Sequence, residues 1–372
     1  MNIPFHKPHI TQTEIDAVVD TLKSGWLTMG PKTIEFEKQF KSYIGCEFAL
    51  NLNSATSALH LALKAIGLQA GDEVIIPTNT FIATAEVITY FGAKPVLCDI
   101  HYANHNIDVS KIESLLTKNT KAIIPVHFGG YPCDMDEILN LSNAYKLKVI
   151  EDAAHALPSY YKGKTIGTLG DLTCFSFYST KTLSTGEGGM VVTNDKEYSK
   201  TISINRLHGI SKDAWKRYSK HSDWYYEVVD FGYKYNSTDI SASLGIAQLA
   251  KVDWMRDKRK NIAQQYLDGL SDSCVILPEY NQDNETSWHL FVIKINNRDE
   301  LYHQLKKNGV STSVHFIPVH KHKYYGKEFH YENNDYPIAN KVFEQSLSLP
   351  IYPSMIKEEI DYIIKLVKKY AK

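Results

Sequence analysis

The sequence predicts an α/β protein: a large domain built on a mostly parallel sheet, followed by a smaller α+β domain. Short apolar runs alternate with helical patterns over residues 48–145, and such alternation is typical of parallel sheets. In the last third of the chain, two strand-like runs at 287–293 and 312–317 flank a helical pattern, which favours an antiparallel α+β arrangement. We therefore predict a large domain over residues 1–245 and a small domain over residues 246–372.

Length, charge and cysteine content exclude several classes of protein. The chain has 372 residues, of which 43% are hydrophobic, and a formal net charge of -1. No basic excess indicates a nucleic-acid partner, and no apolar run suits a membrane span or a signal peptide. The five cysteines are scattered without a CxxC pair, which argues against a disulfide framework and a zinc site. We expect a cytoplasmic protein with no membrane or nucleic-acid partner.

The N-terminal part combines a helix, a turn-rich break and a capped helix. Residues 13–22 carry apolar side chains at helical spacing, and residues 24–31, SGWLTMGP, are rich in turn formers, which predicts a connector. A strand at 48–50 leads through a polar turn into an amphipathic helix with Ser54 as a plausible N-cap. The free N–H groups of such a helix start can bind phosphate, although an ordinary capped helix is the commoner structure.

The middle of the chain repeats a strand-helix unit. Because ligands of parallel sheets bind beyond the C-terminal ends of the strands, we expect the site at that edge. Phe81 falls at one of the strand-to-helix turns, where the pattern alone favours a core role. The predicted strands are 73–77, 94–100 and 122–128, and the predicted helices are 82–91, 109–116, 135–145, 240–249, 246–267 and 300–307.

The most informative stretch is residues 176–190, SFYSTKTLSTGEGGM, which lies between two apolar runs and holds one lysine, Lys181. A lysine between buried strands is partly desolvated, which lowers its pKa and makes a nucleophilic amine; a surface lysine on a flexible hairpin is the alternative. Upstream, the strand of VIEDAAHA ends in Asp152, followed by His155. Pyridoxal phosphate (PLP) needs a lysine for its Schiff base and an acid for its ring nitrogen, and this pair suits it.

Together these motifs resemble one enzyme family. EDAAHA and SFYSTKTLSTGEGG are similar to the motifs of the DegT/StrS family of PLP-dependent sugar aminotransferases, and the similarity runs from GWLTMGP to LSLPIYPSM. The resemblance implies the fold type I aminotransferase architecture, with a seven-stranded, mostly parallel sheet in the large domain. It also implies a set of cofactor-binding side chains: Thr56, Ser57, Phe81, Asp152, His155, Ser176, Lys181 and Asn236.

Four of these residues serve the reactive ring of PLP in the family. By resemblance, Phe81 stacks on the pyridine ring and Asp152 keeps its nitrogen protonated. His155 hydrogen-bonds the 3-hydroxyl oxygen. Lys181 forms the Schiff base and then acts as general acid and base, with pyridoxamine phosphate as the intermediate form of the cofactor.

The remaining members of the set serve the phosphate. By resemblance, Thr56, Ser57 and Ser176 hold it within the subunit. Asn236, in GYKYNSTDI, reaches the cofactor phosphate of the neighbouring subunit, although a plain helix start is the alternative. This role implies a homodimer with shared active sites. The polar, aromatic-rich stretch 205–239 that leads to Asn236 has no clean period, and a loop of this length is usually functional.

The resemblance also implies the substrates, L-glutamate and a nucleotide-linked keto sugar. GYKYNSTDI and GWLTMGP look more like members that aminate carbon 4 of a 4-keto-6-deoxyhexose or a 4-keto pentose. Thr28, Tyr178 and His315 are the candidate substrate contacts. Tyr178-Ser179 departs from the His-Pro of many relatives, which puts the contact of Tyr178 in doubt.

Several alternatives stay open at this point. They are an aminotransferase acting on carbon 3 or on an amino-cyclitol, a PLP-dependent dehydratase, and a PLP-binding sensor without turnover. Lys181 favours transamination, because dehydrating members carry histidine there. His315, His320 and His322 lie close in sequence, but no carboxylate or cysteine completes a metal site. We predict no metal, a substrate role for His315 and surface roles for the other two.

Overall fold

The computed structural model describes residues 1–211, 225–279 and 281–372. A seven-stranded sheet in the order β1-β9-β8-β5-β4-β2-β3 forms its centre. The neighbours from β8 to β3 are parallel, whereas β9 runs antiparallel to both β1 and β8. The strands are β1 (Phe48–Leu52), β2 (Glu73–Pro77), β3 (Lys94–Cys98), β4 (Thr120–Ile123), β5 (Lys148–Asp152), β6 (Tyr160–Tyr161), β7 (Lys164–Thr165), β8 (Leu172–Ser176), β9 (Gly189–Thr193), β10 (Asn284–Glu285), β11 (Phe291–Lys294) and β12 (Ser346–Leu349).

Helices cover both faces of this sheet, because alternate side chains of each strand point to opposite sides. On β2, Ile75 joins the core beneath α2, α5 and α7, whereas Val74 and Ile76 join the core beneath α3, α4 and α6. The helices are α1 (Gln12–Ser24), α2 (Pro31–Ile44), α3 (Ala55–Ala65), α4 (Ala83–Thr89), α5 (Met135–Tyr145), α6 (Lys196–Asn205), α7 (Asp239–Leu249), α8 (Val252–Leu270), α9 (Arg298–Lys307), α10 (Lys323–Phe329), α11 (Pro337–Gln345) and α12 (Lys357–Tyr370).

A third core lies in the C-terminal part of the chain. Residues of α8, α9 and α12 pack on the antiparallel pair β11–β12, and Ile3 from the N-terminus joins them by pairing with Val310. The predicted boundary between residues 245 and 246 falls inside α7, and the two-domain division stays a prediction. Across the described residues, no helix combines the length and apolarity that a bilayer crossing requires.

Several predicted elements differ in the structure. Residues 109–116 form two short 3-10 turns, Val109–Lys111 and Glu113–Leu115, rather than an α-helix. In the run 122–128 the regular strand ends at Ile123, and Val126 makes a single further bridge to Asp152 of β5. The run 312–317 is not a strand and makes one bridge to β12, which is the true partner of β11. Apolar periodicity does not specify which backbone groups pair, so it could not distinguish these segments from regular helices or strands.

Candidate active site

A cavity of about 600 Å³ opens at the edge where the parallel strands end. Its wall combines the start of α3, the segment after β5, the loop between β8 and β9, and residues of the C-terminal part. The predicted site residues on this wall are Thr56, Phe81, Asp152, His155, Ser176, Tyr178, Lys181 and His315.

Lys181 lies in the β8–β9 loop, whose conformation is fixed by a hydrogen bond from its own N–H to the carbonyl of Tyr178 (2.9 Å). Burial lowers the pKa of its amine to about 8, although nearby Asp152 raises it. In the part of the chain that the structure describes, Nζ has no hydrogen bond or ion pair. The amine is therefore available to a carbonyl group in the cavity, and a large share of it is neutral near pH 8.

Asp152 ends β5 and is almost completely buried. Its carboxylate accepts hydrogen bonds from the Thr84 hydroxyl (2.8 Å) and the Ala154 N–H (3.1 Å). Burial raises its pKa, while these two hydrogen bonds and the charge of Lys181 lower it. A buried carboxylate with two donors, and with no directly bonded cation among the described residues, is suited to a cationic group placed in the cavity.

His155 stands beside the acid as a neutral imidazole. The N–H of Gly129 donates to Nδ1 (3.2 Å), so the ring proton lies on Nε2. Burial, together with the charges of Lys181 and His315, lowers the pKa of His155 well below its usual value. The ring therefore offers an N–H donor.

The start of α3 forms another part of the cavity wall. The Ser54 hydroxyl caps the helix by accepting from the Ser57 N–H (3.0 Å), as predicted. The N–H groups of Ala55 and Thr56, on the cavity wall, have no acceptor among the described residues. Gly189 packs against this turn so closely that a Cβ there would lie 2.4 Å from the Ser54 carbonyl oxygen. The site can hold an anion such as phosphate.

Three predicted site residues are not on the cavity wall. The Ser57 hydroxyl lies inside the turn before α3, where it forms hydrogen bonds with Asn53 and Ser54. Thr28 is exposed, and its carbonyl accepts from the N–H of Asp239 (3.2 Å). The Asn236 amide donates to the Ser237 carbonyl (3.0 Å), and its buried Oδ1 has no partner among the described residues.

Sequence reasoning missed several wall residues. Phe5, Thr84, His289 and Phe316 all line the cavity, and Thr84 is a direct partner of the acid. Three of the four are in segments distant from the motifs, and no local pattern marks them. The predicted surface role of His320 is wrong: it is buried between Thr78 (2.7 Å) and Asn340 (3.0 Å). Among the described residues no cluster of three metal-type ligands occurs.

Known proteins share this architecture and much of this sequence. The model of the DegT/DnrJ/EryC1/StrS aminotransferase family matches residues 8–368. The chain is 50% identical to uncharacterized protein MJ1066 of Methanocaldococcus jannaschii, covering 99% of this chain and 97% of the relative. It is 46% identical to spore coat polysaccharide biosynthesis protein SpsC of Bacillus subtilis, covering 100% and 97%.

Solved structures agree. A putative sugar aminotransferase of Streptococcus pneumoniae, Spr1654 in its PMP form, superposes with a TM-score of 0.93 at 36% identity, covering 99% of this chain and 97% of the other. The PLP form of the same protein gives the same TM-score. The predicted fold type I architecture is confirmed. The chain belongs to the DegT/DnrJ/EryC1/StrS aminotransferase family.

Proposed function

We propose that the protein is a PLP-dependent sugar aminotransferase that moves the amino group of L-glutamate to carbon 4 of a nucleotide-linked 4-keto-6-deoxyhexose. One observation carries the proposal: the Lys181 amine, the Asp152 carboxylate and the anion-binding start of α3 share one cavity. Membership of the family supports the aminotransferase activity in this proposal. SpsC is named for polysaccharide biosynthesis and Spr1654 for a sugar substrate, which supports a sugar as the acceptor here.

The residues present fit PLP as the cofactor, in agreement with the PLP and PMP forms of Spr1654. Asp152 is a buried carboxylate with no directly bonded cation, and it would hold a protonated ring nitrogen. The free N–H groups at the start of α3, with Thr56 and Ser176 on the wall, would hold the phosphate. Lys181 would carry the covalent link, and Phe81, which is 59% exposed, offers a face for the ring. PLP, when bound, supplies the electron sink that transamination requires.

Side chains of the protein carry out the proton transfers and hold the charges that the reaction needs. Lys181 Nζ removes the proton from the α-carbon of the amino donor and later delivers a proton to the sugar carbon that receives nitrogen. Its pKa of about 8 leaves roughly a tenth of the amine neutral near pH 7, enough for a base that must also donate. Asp152 places its carboxyl group next to the cavity, and His155 keeps a neutral N–H donor there.

The sugar and the donor are the finer part of the proposal. Carbon 4 rests on the similarity of GYKYNSTDI and GWLTMGP to members that act at that position. Among the described residues, Lys181 is the one Lys or Arg side chain on the cavity wall. Glutamate and a nucleotide diphosphate bring several negative charges, so we infer that further cations reach the site from outside this wall.

We infer that a second subunit of the same protein supplies these positive charges. Helix α1 exposes an apolar stripe of Ile15, Val19 and Leu22, which lie on one face at helical spacing. The orphaned Asn236 Oδ1 is a buried polar atom that needs a partner. We propose a homodimer in which Asn236 serves the neighbouring cofactor. Asn236→Ala should weaken PLP binding at least tenfold without affecting dimerisation, read by PLP titration and by sedimentation; unchanged affinity would reject the shared site.

The decisive experiment is a screen of nucleotide-linked keto sugars with L-glutamate and PLP, read by mass spectrometry. A 4-keto-6-deoxyhexose should gain an amino group in place of its ketone, with 2-oxoglutarate formed in equal amount. Amination of 3-keto sugars only would overturn the carbon-4 assignment. No amination of any sugar, by a protein that binds PLP reversibly to Lys181, would overturn the proposed function.

A further inference from the structure

His289 is a third imidazole on the cavity wall, beside His155 and His315. It stands between Trp288, which has a left-handed backbone conformation (φ 50°), and the start of β11. Only 7% of its surface is exposed, and its Nδ1 is completely buried without a hydrogen-bond partner in the described part of the chain. A buried, unpaired ring nitrogen is costly, so a compensating role is expected.

The neighbours of His289 lock it against His155. The Ser287 hydroxyl donates to the carbonyl of His155 (2.5 Å), and the N–H of Leu290 donates to the carbonyl of Gly129 (3.2 Å). The N–H of the same Gly129 donates to His155 Nδ1. One residue, Gly129, therefore connects both segments, and the centroids of the two imidazole rings lie 4.4 Å apart with the ring planes tilted by 38°.

Among the described residues, no acid is a cause of the pKa shift of either ring. The titratable groups that act on this pair are Lys181, Arg259 and His315, and each disfavours a second positive charge. Burial lowers the pKa of both imidazoles well below the usual value, as does their mutual contact for His289. The contact is therefore one between two neutral, mutually tilted rings, and it restrains the ring of His155.

We propose that His289 is a positioning residue whose ring, packed at a tilt against the ring of His155, holds the Nε2–H of His155 toward the cavity. The Gly129 N–H fixes one edge of the His155 ring, and His289 fixes its plane, so that Nε2 is the nitrogen left to meet a ligand. The inference rests on the proposed function, in which His155 donates to the 3-hydroxyl oxygen of PLP. His289 acts through its flat ring and not through its nitrogens.

The test uses the full-length, PLP-loaded protein and variants that separate ring from nitrogen. His289→Phe keeps a flat ring without nitrogens. His289→Leu and His289→Met remove the ring at comparable volume, and one of them suffices if the other fails to fold. His303→Leu, at an exposed histidine on α9, is the control. The readouts are the pH midpoint of the visible band of Lys181-bound PLP and the dissociation constant for PLP.

The ring oxygen carries its full negative charge only after the lysine link loses its proton, so a held N–H donor lowers the midpoint. We expect the ring-free variants to raise it by about half to one pH unit, a threefold to tenfold change, with weaker PLP binding. His289→Phe and the control should keep the wild-type midpoint. A Phe variant that behaves like Leu, or a Leu variant that behaves like wild type, overturns the proposal. Absence of any band in the wild type overturns the proposed function and this inference together.

Discussion

The hydrogen bond between Thr84 and Asp152 offers the sharpest test of the acid's environment. The Thr84 hydroxyl donates to Oδ2 at 2.8 Å, and it also shares a hydrogen bond with Thr80 at 2.8 Å. All three side chains are buried. Thr84→Val replaces the hydroxyl by a methyl group of nearly the same size, so the change removes hydrogen bonds without leaving a cavity.

The size of the expected destabilisation depends on whether the acceptor of each lost hydrogen bond is charged. A hydrogen bond to a charged group contributes about 1.5–3 kcal/mol and a neutral one about 0.5–1.5 kcal/mol. Thr84→Val loses one of each and should lower the free energy of unfolding by about 2–4.5 kcal/mol. Thr80→Val loses the neutral bond alone and is the matched control. The two variants should differ by about 1.5–3 kcal/mol near neutral pH.

The pH dependence of this difference identifies the carboxylate. Burial raises the pKa of Asp152 and the Thr84 hydroxyl lowers it, so Thr84→Val raises it further. A carboxyl whose native pKa exceeds its unfolded pKa penalises the fold above the native pKa, and protonation relieves the penalty. In urea denaturation of the cofactor-free protein, the difference from Thr80→Val should be largest near neutral pH and shrink on acidification. Equal stabilities at neutral pH, or a difference independent of pH, would refute the reasoning.

Three further predictions address the amine and the frame of the site. Lys181→Ala should keep the fold, measured by circular dichroism, but lose the borohydride-reducible attachment of PLP; retained attachment would reject Lys181 as the linking amine. Because burial lowers the pKa of Lys181 to about 8, the rate of PLP attachment should rise with pH and level off above about pH 8, and a flat stopped-flow profile would contradict this. Asp239 accepts hydrogen bonds from the N–H groups of Gly30, Lys32 and Thr33 at the start of α2. Asp239→Ala should therefore lower the free energy of unfolding, measured by urea denaturation, by about 2–4 kcal/mol. A decrease no larger than that caused by replacing an exposed aspartate such as Asp268 would disprove this anchoring.

The large sheet was predictable because its strands are buried and short, and turn formers separate them. Glu73–Pro77 and Met135–Tyr145 have the bounds that the pattern predicts. The antiparallel direction of β9 was not predictable, since a strand's own residues do not encode the direction of its neighbours. Likewise, β12 pairs with β11 across more than fifty residues, so its pairing depends on tertiary packing that no local window contains.

The same distinction explains the site. Asp152 ends β5 and Lys181 follows its parallel neighbour β8, and the fold brings the C-terminal ends of both strands to one edge regardless of the loops between them. Chemistry placed at those ends can therefore be inferred from the chain alone. Phe5 and His289 reach the cavity only because the N-terminal segment and the C-terminal core dock against the sheet. Supporting residues in such docked segments have to be found in the structure, and the contact of His289 with His155 is the case where that support is testable.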